Sequence, residues 1–344
     1  MKLSYKEISQ RFNIPVYTVK TMLKNDTSGI LDSKYKCDEA DAKVFFDKVE
    51  KRIKDSVKGK EFFTKSEIEA IFECSLQSGM ARSHKTNTLV LITGENIKKQ
   101  IYGDYWDGDI LYYTGMGTKG DQSLEFAQNK TLLESVKNRI LVVLFTKTKI
   151  GKEIKYIYRG EVKLAGNPVW EDEEDADKKM RKVCRFPLKI SSKPVLVGDA
   201  AEIVREEMDA AEERYNKKLS AEELRARALK RGKKGKRGKK NTSNKAAKGG
   251  FIRDVAVKNY ALERANGKCE CCGEDAPFKV DGVPFLIEHH IKWLERGGDD
   301  TIYNTCGICP NCHSKIHILD LEEDTNRIIE NMKADELAFS GIKI

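Results

Sequence analysis

Most of the histidine and cysteine side chains lie in one stretch of this chain, residues 269–317. Four of the five histidines and six of the nine cysteines fall inside it. Imidazole nitrogen and thiolate sulfur are the ligands that zinc and related ions prefer. The sequence therefore predicts that the chemistry takes place in this stretch and that the other elements deliver a substrate to it.

The cysteines form two Cys-x-x-Cys pairs, Cys269 with Cys272 and Cys309 with Cys312. This spacing suits one tetrahedral Zn²⁺ with a structural role. Cys306 has the same spacing from Cys309, but Cys-Pro-Asn-Cys forms a tight knuckle that leads directly into a helix, so we favour Cys309 and Cys312. Free buried thiols are the alternative, and they explain the pairing poorly. A structural zinc would contribute folding free energy to this domain.

The histidines form a second set, which consists of His289, His290, His313 and His317. Residues 285–291, which include the first two, are predicted to be a strand. The other two are four residues apart on a predicted helix and share one face. Between the pairs lie a turn at residues 297–300 and then Asn304, which we expect on or just after a second strand. Strand, loop, strand and helix is the ββα-metal arrangement.

The spacing of nine residues from Asn304 to His313, with another histidine four residues later, closely resembles the HNH nuclease motif. The resemblance covers about residues 258–320 and implies one-metal hydrolysis of a phosphodiester. It implies that His290 is the general base that deprotonates the attacking water. It also implies that His289 and His313 hold Mg²⁺ or Mn²⁺ against the scissile phosphate.

Two further positions of the motif have narrower roles. The resemblance implies that His317 is a third metal ligand or a phosphate contact, and that Asn304 braces the loop that aims the base. Many family members carry a glutamate three residues before the base, where this chain has Ile287. Glu288 follows one position later and is assigned no role.

Residues 61–198 contain short runs rich in β-branched and aromatic residues, punctuated by Gly, Asp and Asn. They predict a strongly bent sheet or small barrel. The predicted strands are 89–92, 110–113, 139–145, 154–158 and 183–187. The acidic stretch 170–177 is expected to be a solvated loop between strands.

Three patterns in this region follow one another: Tyr113-Thr-Gly-Met-Gly117, Gly120-Asp-Gln122 and Asn129-Lys130. They resemble the SRA (SET-and-RING-associated) domain, particularly that of McrA-like, modification-dependent restriction enzymes, over about residues 70–190. The resemblance implies binding of double-stranded DNA and flipping of a modified cytosine into a pocket. The pocket must recover the few kcal/mol of stacking that flipping costs.

Position by position, the resemblance assigns Tyr113 to stacking on the flipped base, with Thr114 beside it. It assigns Asp104 to the cytosine edge, where an acceptor suits the exocyclic amino group. The second stacking position falls at Ile101, with Tyr102 beside it, which leaves open which ring closes the other face. The alternative is that Tyr113 is an ordinary strand residue with its ring in the core.

Residues 3–24 predict two short helices around a turn, a pattern typical of a helix-turn-helix. Its second helix would enter a major groove with four side chains exposed: Tyr17, Thr18, Lys20 and Lys24. A small helical module that does not bind DNA fits the same pattern. A charged amphipathic helix is expected over residues 38–60.

Residues 199–229 predict an exposed helix, and residues 230–250 are low-complexity Lys/Gly/Asn sequence that predicts a flexible linker. The net charge of the chain is +9, and this linker is its densest basic cluster. Such a cluster attracts DNA by counterion release; a solvated linker is the alternative. The expected DNA contacts are Lys233, Lys234, Lys236 and Arg237.

The predicted fold is α+β and multidomain. It comprises a helix-turn-helix-like module (1–60), an SRA-like bent sheet or barrel (61–198), a helical then basic linker (199–250) and a ββα-metal HNH domain with structural zinc (251–344). The longest apolar run, residues 140–145, is too short to span a bilayer. With no signal peptide visible, we expect a cytoplasmic protein with reduced cysteines.

The predicted function is a modification-dependent DNA endonuclease that recognises modified cytosine. One HNH site cuts one strand, so a double-strand break would indicate a homodimer. A sequence-directed HNH endonuclease of the homing or phage type is one alternative. A non-catalytic, zinc-containing DNA-binding regulator is another, although it would not need the histidines.

Overall fold

The structure, a computed structural model, describes residues 2–26, 29–94, 103–175, 177–192, 194, 196, 198–232 and 253–339. The chain divides into two compact units, Met1–Ala211 and Glu212–Ile344. Within the described residues, no helix has the length and apolar character needed to cross a membrane.

The first unit begins with a small helical module. Its elements are β1 (Lys2–Leu3), α1 (Tyr5–Phe12), α2 (Val16–Lys24), β2 (Cys37–Asp38) and α3 (Glu39–Val57). Ser4 and Glu7 form a capping box at the start of α1, because each side chain accepts the backbone N–H of the other residue. Ile8 of α1 and Val19 of α2 are fully buried in one core. The structure has a helix at each of the two predicted positions.

The face that α2 presents differs from the prediction at one position. Tyr17, Lys20 and Lys24 are exposed, whereas Thr18 is fully buried. The Thr18 hydroxyl forms a 2.8 Å hydrogen bond with Nδ1 of His84, in a turn of the same unit. The prediction of an exposed Thr18 is therefore wrong, because this side of the helix packs against the neighbouring domain.

The rest of the first unit is built on a large sheet. Its strands are β3 (Phe62–Phe63), β4 (Met80–Ser83), β5 (Thr88–Thr93), β6 (Tyr105–Asp107), β7 (Ile110–Thr114), β8 (Leu141–Ile150), β9 (Glu153–Leu164), β10 (Val169–Glu174) and β11 (Met180–Ser192). The main strand order is β4-β5-β8-β9-β11-β7-β6, with β10 on β11 and β3 on β9. The β5–β8 pair is parallel and the other pairs are antiparallel.

Irregular pairing bends this sheet where β9 meets its neighbours. The register shifts between Leu144 and Phe145 against β8, and between Ile190 and Ser192 on β11. Gly160 lies at this point with φ +119°, and a Cβ there would lie 2.0 Å from the carbonyl oxygen of Ser192. Such irregularities increase local bending and twist.

Alternating side chains give the sheet two apolar faces. Leu89 and Leu144 contribute to one core, which also receives α5 (Ala127–Leu133) through Leu132. Val90 and Phe145 contribute to the other, which is covered by α3 and by α4 (Lys65–Phe72). Burial on both faces explains why these strands are continuous apolar runs in the sequence.

The acidic stretch 170–177 is largely a strand, not the predicted loop. β10 pairs with β11 in register from Val169 to Glu174. Glu171 and Glu173 both pair with Arg185 of β11, whose side chain is fully buried. The prediction was wrong because the long-range partner of these carboxylates is not visible in the local sequence.

The division between the two units falls within α6 (Gly198–Asn216), so the second unit begins with the last turn of this helix. Its elements are α7 (Ala221–Gly232), α8 (Val255–Ala265), β12 (Lys279–Val280), β13 (Val283–Pro284), β14 (Ile287–His290), a 3-10 turn (Leu294–Arg296), β15 (Thr305–Ile308), α9 (Pro310–Leu319) and α10 (Glu322–Phe339). The predicted helix 199–229 is thus two helices, and the second continues to Gly232, inside the predicted linker. β14 and β15 form an antiparallel pair, and α9 follows them, as the ββα arrangement predicts.

Candidate functional site

Four cysteine side chains from two separate turns meet in the second unit. The sulfur atoms of Cys269, Cys272, Cys309 and Cys312 all lie within 4.8 Å of one another. Cys309 caps α9, and the N–H of Cys312 donates to its sulfur over 3.4 Å. The N–H of Cys309 donates to the sulfur of Cys269 over 3.2 Å. Four convergent sulfurs with backbone donors fit a tetrahedral zinc.

The same geometry shows which cysteines form the second pair, Cys309 with Cys312 or Cys306 with Cys309. Cys306 lies outside the four-sulfur group and its thiol donates instead to the carbonyl oxygen of His289 over 3.3 Å. The knuckle at Cys309 and Cys312 therefore supplies the second half of the candidate zinc site.

Three histidines form a separate cluster that could hold a metal. One ring nitrogen from each of His289, His313 and His317 lies within 4.8 Å of the others. β14 supplies the first, which is buried, and α9 supplies the other two one turn apart. Burial lowers the pKa of His289 to about 4 and also lowers the pKa of His313. Neutral imidazoles are the form that binds a cation, so the cluster fits a divalent ion.

His290 belongs to a different cluster, with Glu288 and Asp300, since neighbouring residues on a strand project to opposite sides. Its Nε2 lies 2.9 Å from Oδ1 of Asp300 and 3.9 Å from Oε1 of Glu288. Glu288 is itself buried, which raises the pKa of its carboxyl, and its other oxygen lies 3.4 Å from the guanidinium of Arg253. The sequence analysis assigned no role to Asp300 or Glu288. Only their position close to the histidines in the sequence could have indicated one.

Asn304 ties together the loop between β14 and β15. Its Oδ1 accepts the N–H of Lys292 over 2.8 Å, and its Nδ2 donates to the carbonyl oxygens of Lys292 and Asp299 over 3.0 and 2.7 Å. Asn304 lies just before β15, not on or after it as predicted. These contacts suit a loop-bracing residue.

The sheet of the first unit contains a cavity of about 120 Å³ beside Asp104. Tyr113, Thr114, Met80 and Lys147 are among the residues that line it. Asp104 is buried, and burial raises the pKa of its carboxyl. The structure thus brings together three of the four predicted base-pocket residues.

The side chain of Tyr113 is more buried and more constrained than a role in stacking on a base suggests. Its side chain is 3% exposed and belongs to the core on one face of the sheet. Its hydroxyl lies 2.7 Å from the carbonyl oxygen of Gly79, to which it donates. One side of the ring therefore packs as an ordinary core residue, while the residue also lines the cavity.

Arg185 is a buried cation next to this cavity that sequence reasoning missed. Besides Glu171 and Glu173, its guanidinium donates to the hydroxyl of Thr114. Burial opposes its positive charge, but the nearby carboxylates of Glu173, Glu171 and Asp104 raise the pKa of the guanidinium overall. The arrangement fixes the end of β7 where Thr114 borders the cavity.

Several predicted contacts fall outside the described residues. These are Tyr102, with its neighbour Ile101, and the basic linker residues Lys233, Lys234, Lys236 and Arg237. Their assignments stay predictions.

Comparison with known protein families matches two segments of the chain. The ScoMcrA-like SRA domain model matches residues 58–209 and the HNH endonuclease model matches residues 269–318. The type IV methyl-directed restriction enzyme EcoKMcrA of Escherichia coli (strain K12) is 46% identical over 68 residues, which are 20% of this chain and 24% of that protein. The chain thus matches about a quarter of the length of this relative.

Solved structures with lower similarity include two restriction endonucleases. The type IV phosphorothioation-dependent endonuclease ScoMcrA is 16% identical with a TM-score of 0.42, over 82% of this chain and 63% of that one. The modification-dependent endonuclease TagI is 18% identical with a TM-score of 0.28, over 76% of this chain and 77% of that one. The family matches confirm the predicted combination: the chain joins a ScoMcrA-like SRA domain to a C-terminal HNH endonuclease domain and is a homologue of McrA.

Proposed function

We propose that this chain is a DNA endonuclease that cuts DNA carrying a modified base. The SRA domain would select the DNA and the HNH domain would hydrolyse its backbone. The observation that carries the proposal is the cluster of His289, His313 and His317 on the strand and helix that also hold His290, within the HNH match. The homologous EcoKMcrA is a methyl-directed restriction enzyme, which supports modified DNA as the substrate class.

In the proposed mechanism the three clustered histidines would hold Mg²⁺ or Mn²⁺. Such an ion would supply positive charge where negative charge develops on the scissile phosphate. His290 takes a proton from the attacking water, and Asn304 keeps the loop of the base in place. The four cysteines would hold a structural Zn²⁺, which would stabilise the packing of β14, β15 and α9.

Recognition is proposed to use a flipped modified cytosine in the cavity beside Asp104. Asp104 would accept the exocyclic amino group of the base, while Thr114 and Tyr113 form the adjacent wall. The basic residues after α7 would track the DNA backbone. A double-strand break would require two HNH sites and hence two copies of the chain.

The test separates binding from cleavage with His290→Ala in the full chain. We expect cleavage of modified DNA to fall at least about a hundredfold, while the affinity for that DNA and the zinc content stay unchanged. Cleavage by the variant at the wild-type rate would contradict the base assignment. Equal affinity of the wild type for modified and unmodified DNA would favour the sequence-directed alternative instead.

A further inference from the structure

Two carboxylates face the same nitrogen of His290. Oδ1 of Asp300 lies 2.9 Å from Nε2, within hydrogen-bond distance, and Oε1 of Glu288 lies 3.9 Å from it. The side chains of His290 and Glu288 are 5% exposed and that of Asp300 is 15% exposed. Water therefore has little room to replace the Asp300 carboxylate as the partner of Nε2.

An ionised carboxylate can only accept a hydrogen bond. A short contact from Asp300 to Nε2 therefore requires that Nε2 carry the hydrogen. In the neutral ring the lone pair is then on Nδ1. This is the nitrogen left free to receive a proton.

Asp300 is itself held by the start of α8. Its Oδ2 accepts the backbone N–H of Asp254 over 2.5 Å. Asp254 caps that helix through Oδ1, which accepts the N–H of Ala256 over 2.9 Å, while its Oδ2 accepts from Nε of Arg231 over 2.7 Å. Both oxygens of Asp300 thus have fixed partners, one on the helix cap and one on the histidine.

We propose that Asp300 is a positioning residue for the nuclease reaction, which holds the ring of His290 and keeps its hydrogen on Nε2 so that Nδ1 acts as the base. The proposal rests on the proposed function of His290. In the step, Nδ1 takes a proton from water and the water oxygen bonds to phosphorus. The opposite phosphorus–oxygen bond breaks, and its oxygen leaves with the electron pair and takes a proton from solvent.

The sharpest variant is Asp300→Asn, which keeps the shape of the side chain. The backbone N–H of Asp254 needs an acceptor, so the amide oxygen turns towards it and the amide NH₂ faces Nε2. The histidine must then place its hydrogen on Nδ1, the unproductive form; a comparable change behind the histidine of serine proteases costs about 10⁴ in kcat. We expect kcat on modified DNA to fall at least about a hundredfold, with KM and zinc content changed by less than about twofold.

The position of the hydrogen on the ring of His290 can also be measured directly. In the full chain labelled with ¹⁵N-histidine, the ring of His290 should show its hydrogen on Nε2, and in Asp300→Asn on Nδ1. Glu295→Gln, which removes an exposed charge from the same loop, should change neither the tautomer nor kcat.

These experiments test the role of His290 as the base and the role of Asp300 separately. If His290→Ala cuts like the wild type, the proposed base is wrong. If His290→Ala is inactive but Asp300→Asn keeps the wild-type kcat, the role of Asp300 is wrong and the proposed function stands. A wild-type His290 with its hydrogen on Nδ1 would also overturn the role of Asp300, whether or not the variants fold.

Discussion

The backbone N–H of Thr114 donates to Oδ1 of Asp104 over 2.8 Å. The hydroxyl of Thr93 donates to the other carboxylate oxygen over 3.0 Å. Both oxygens of this buried side chain therefore have a fixed donor before any base enters the cavity. Each oxygen has a second lone pair, so Asp104 can still accept an amino group while its orientation stays set by the strand.

This geometry predicts the effect of Asp104→Asn on DNA recognition. An amide at this position can present NH₂ to the amino group of cytosine, so a charge-assisted hydrogen bond is lost. Such bonds contribute about 1.5–3 kcal/mol. The affinity for modified DNA should therefore fall about ten- to a hundredfold, while the affinity for unmodified DNA stays unchanged, as measured by fluorescence anisotropy. Asp109→Asn, in the exposed turn between β6 and β7, is the control. An unchanged preference for modified DNA in Asp104→Asn would remove Asp104 from the pocket.

A second prediction concerns the role of His317, which the motif leaves between metal ligand and phosphate contact. If His317 is a third metal ligand, His317→Ala should bind Mn²⁺ more weakly. The Mn²⁺ concentration for half-maximal cleavage should then rise more than about tenfold, which corresponds to a loss of about 1.4 kcal/mol of binding free energy. The exposed neighbour in Ile318→Ala serves as the control. A phosphate contact would instead raise KM for DNA and leave the metal dependence as in the wild type.

The cysteine cluster predicts one tightly bound zinc per chain. Cys312→Ser removes a ligand and should lose the zinc and the cooperative unfolding of the second unit, since such a site contributes directly to folding. Cys306→Ser should retain both, because Cys306 lies outside the cluster. Elemental analysis and thermal unfolding measure the two effects. Loss of zinc from Cys306→Ser with retention in Cys312→Ser would assign the second pair to Cys306 and Cys309.

The first unit should lose stability as pH rises, because burial raises the pKa of Glu207 to about 7 from 4.5. The folded unit holds this proton more tightly than the unfolded chain does. The stabilisation is therefore complete below about pH 4.5 and disappears as pH rises through about 7, up to about 3 kcal/mol in total. Urea unfolding of the wild type relative to Glu207→Gln should show this slope. Glu206→Gln, at an exposed position, should keep the wild-type slope; a pH-independent difference between wild type and Glu207→Gln would contradict the burial effect.

The grouping of the four cysteines and of the three histidines was predictable because the members of each pair are close in the chain. A spacing of four on a helix places His313 and His317 on one face, and a Cys-x-x-Cys knuckle places both sulfurs together, whatever the rest of the fold does. Asp300 was not predictable in this way. Its contact with His290 depends on how the loop between β14 and β15 closes and on the N–H of Asp254, which is 46 residues away in sequence.

The same limit explains the errors in the first unit. The local sequence of the acidic stretch predicts a solvated loop. It does not show that Glu171 and Glu173 form ion pairs with Arg185 of the neighbouring strand. The helical pattern likewise predicts an exposed Thr18. It does not show the hydrogen bond with His84, which lies in a turn that is distant in the sequence. Strands with apolar residues on both faces were easier to predict, because their pattern depends only on local sequence.

We propose that cleavage by the HNH site depends on a modified base. The most direct measurement is digestion of one plasmid sequence prepared unmodified, 5-methylated, 5-hydroxymethylated, glucosylated or phosphorothioated, with Mg²⁺ or Mn²⁺. We predict that at least one DNA with modified cytosine is cut by the wild type, that unmodified DNA stays intact, and that His290→Ala cuts none. Equal cleavage of unmodified DNA would contradict the claim, and cleavage of phosphorothioated DNA alone would contradict recognition through the base.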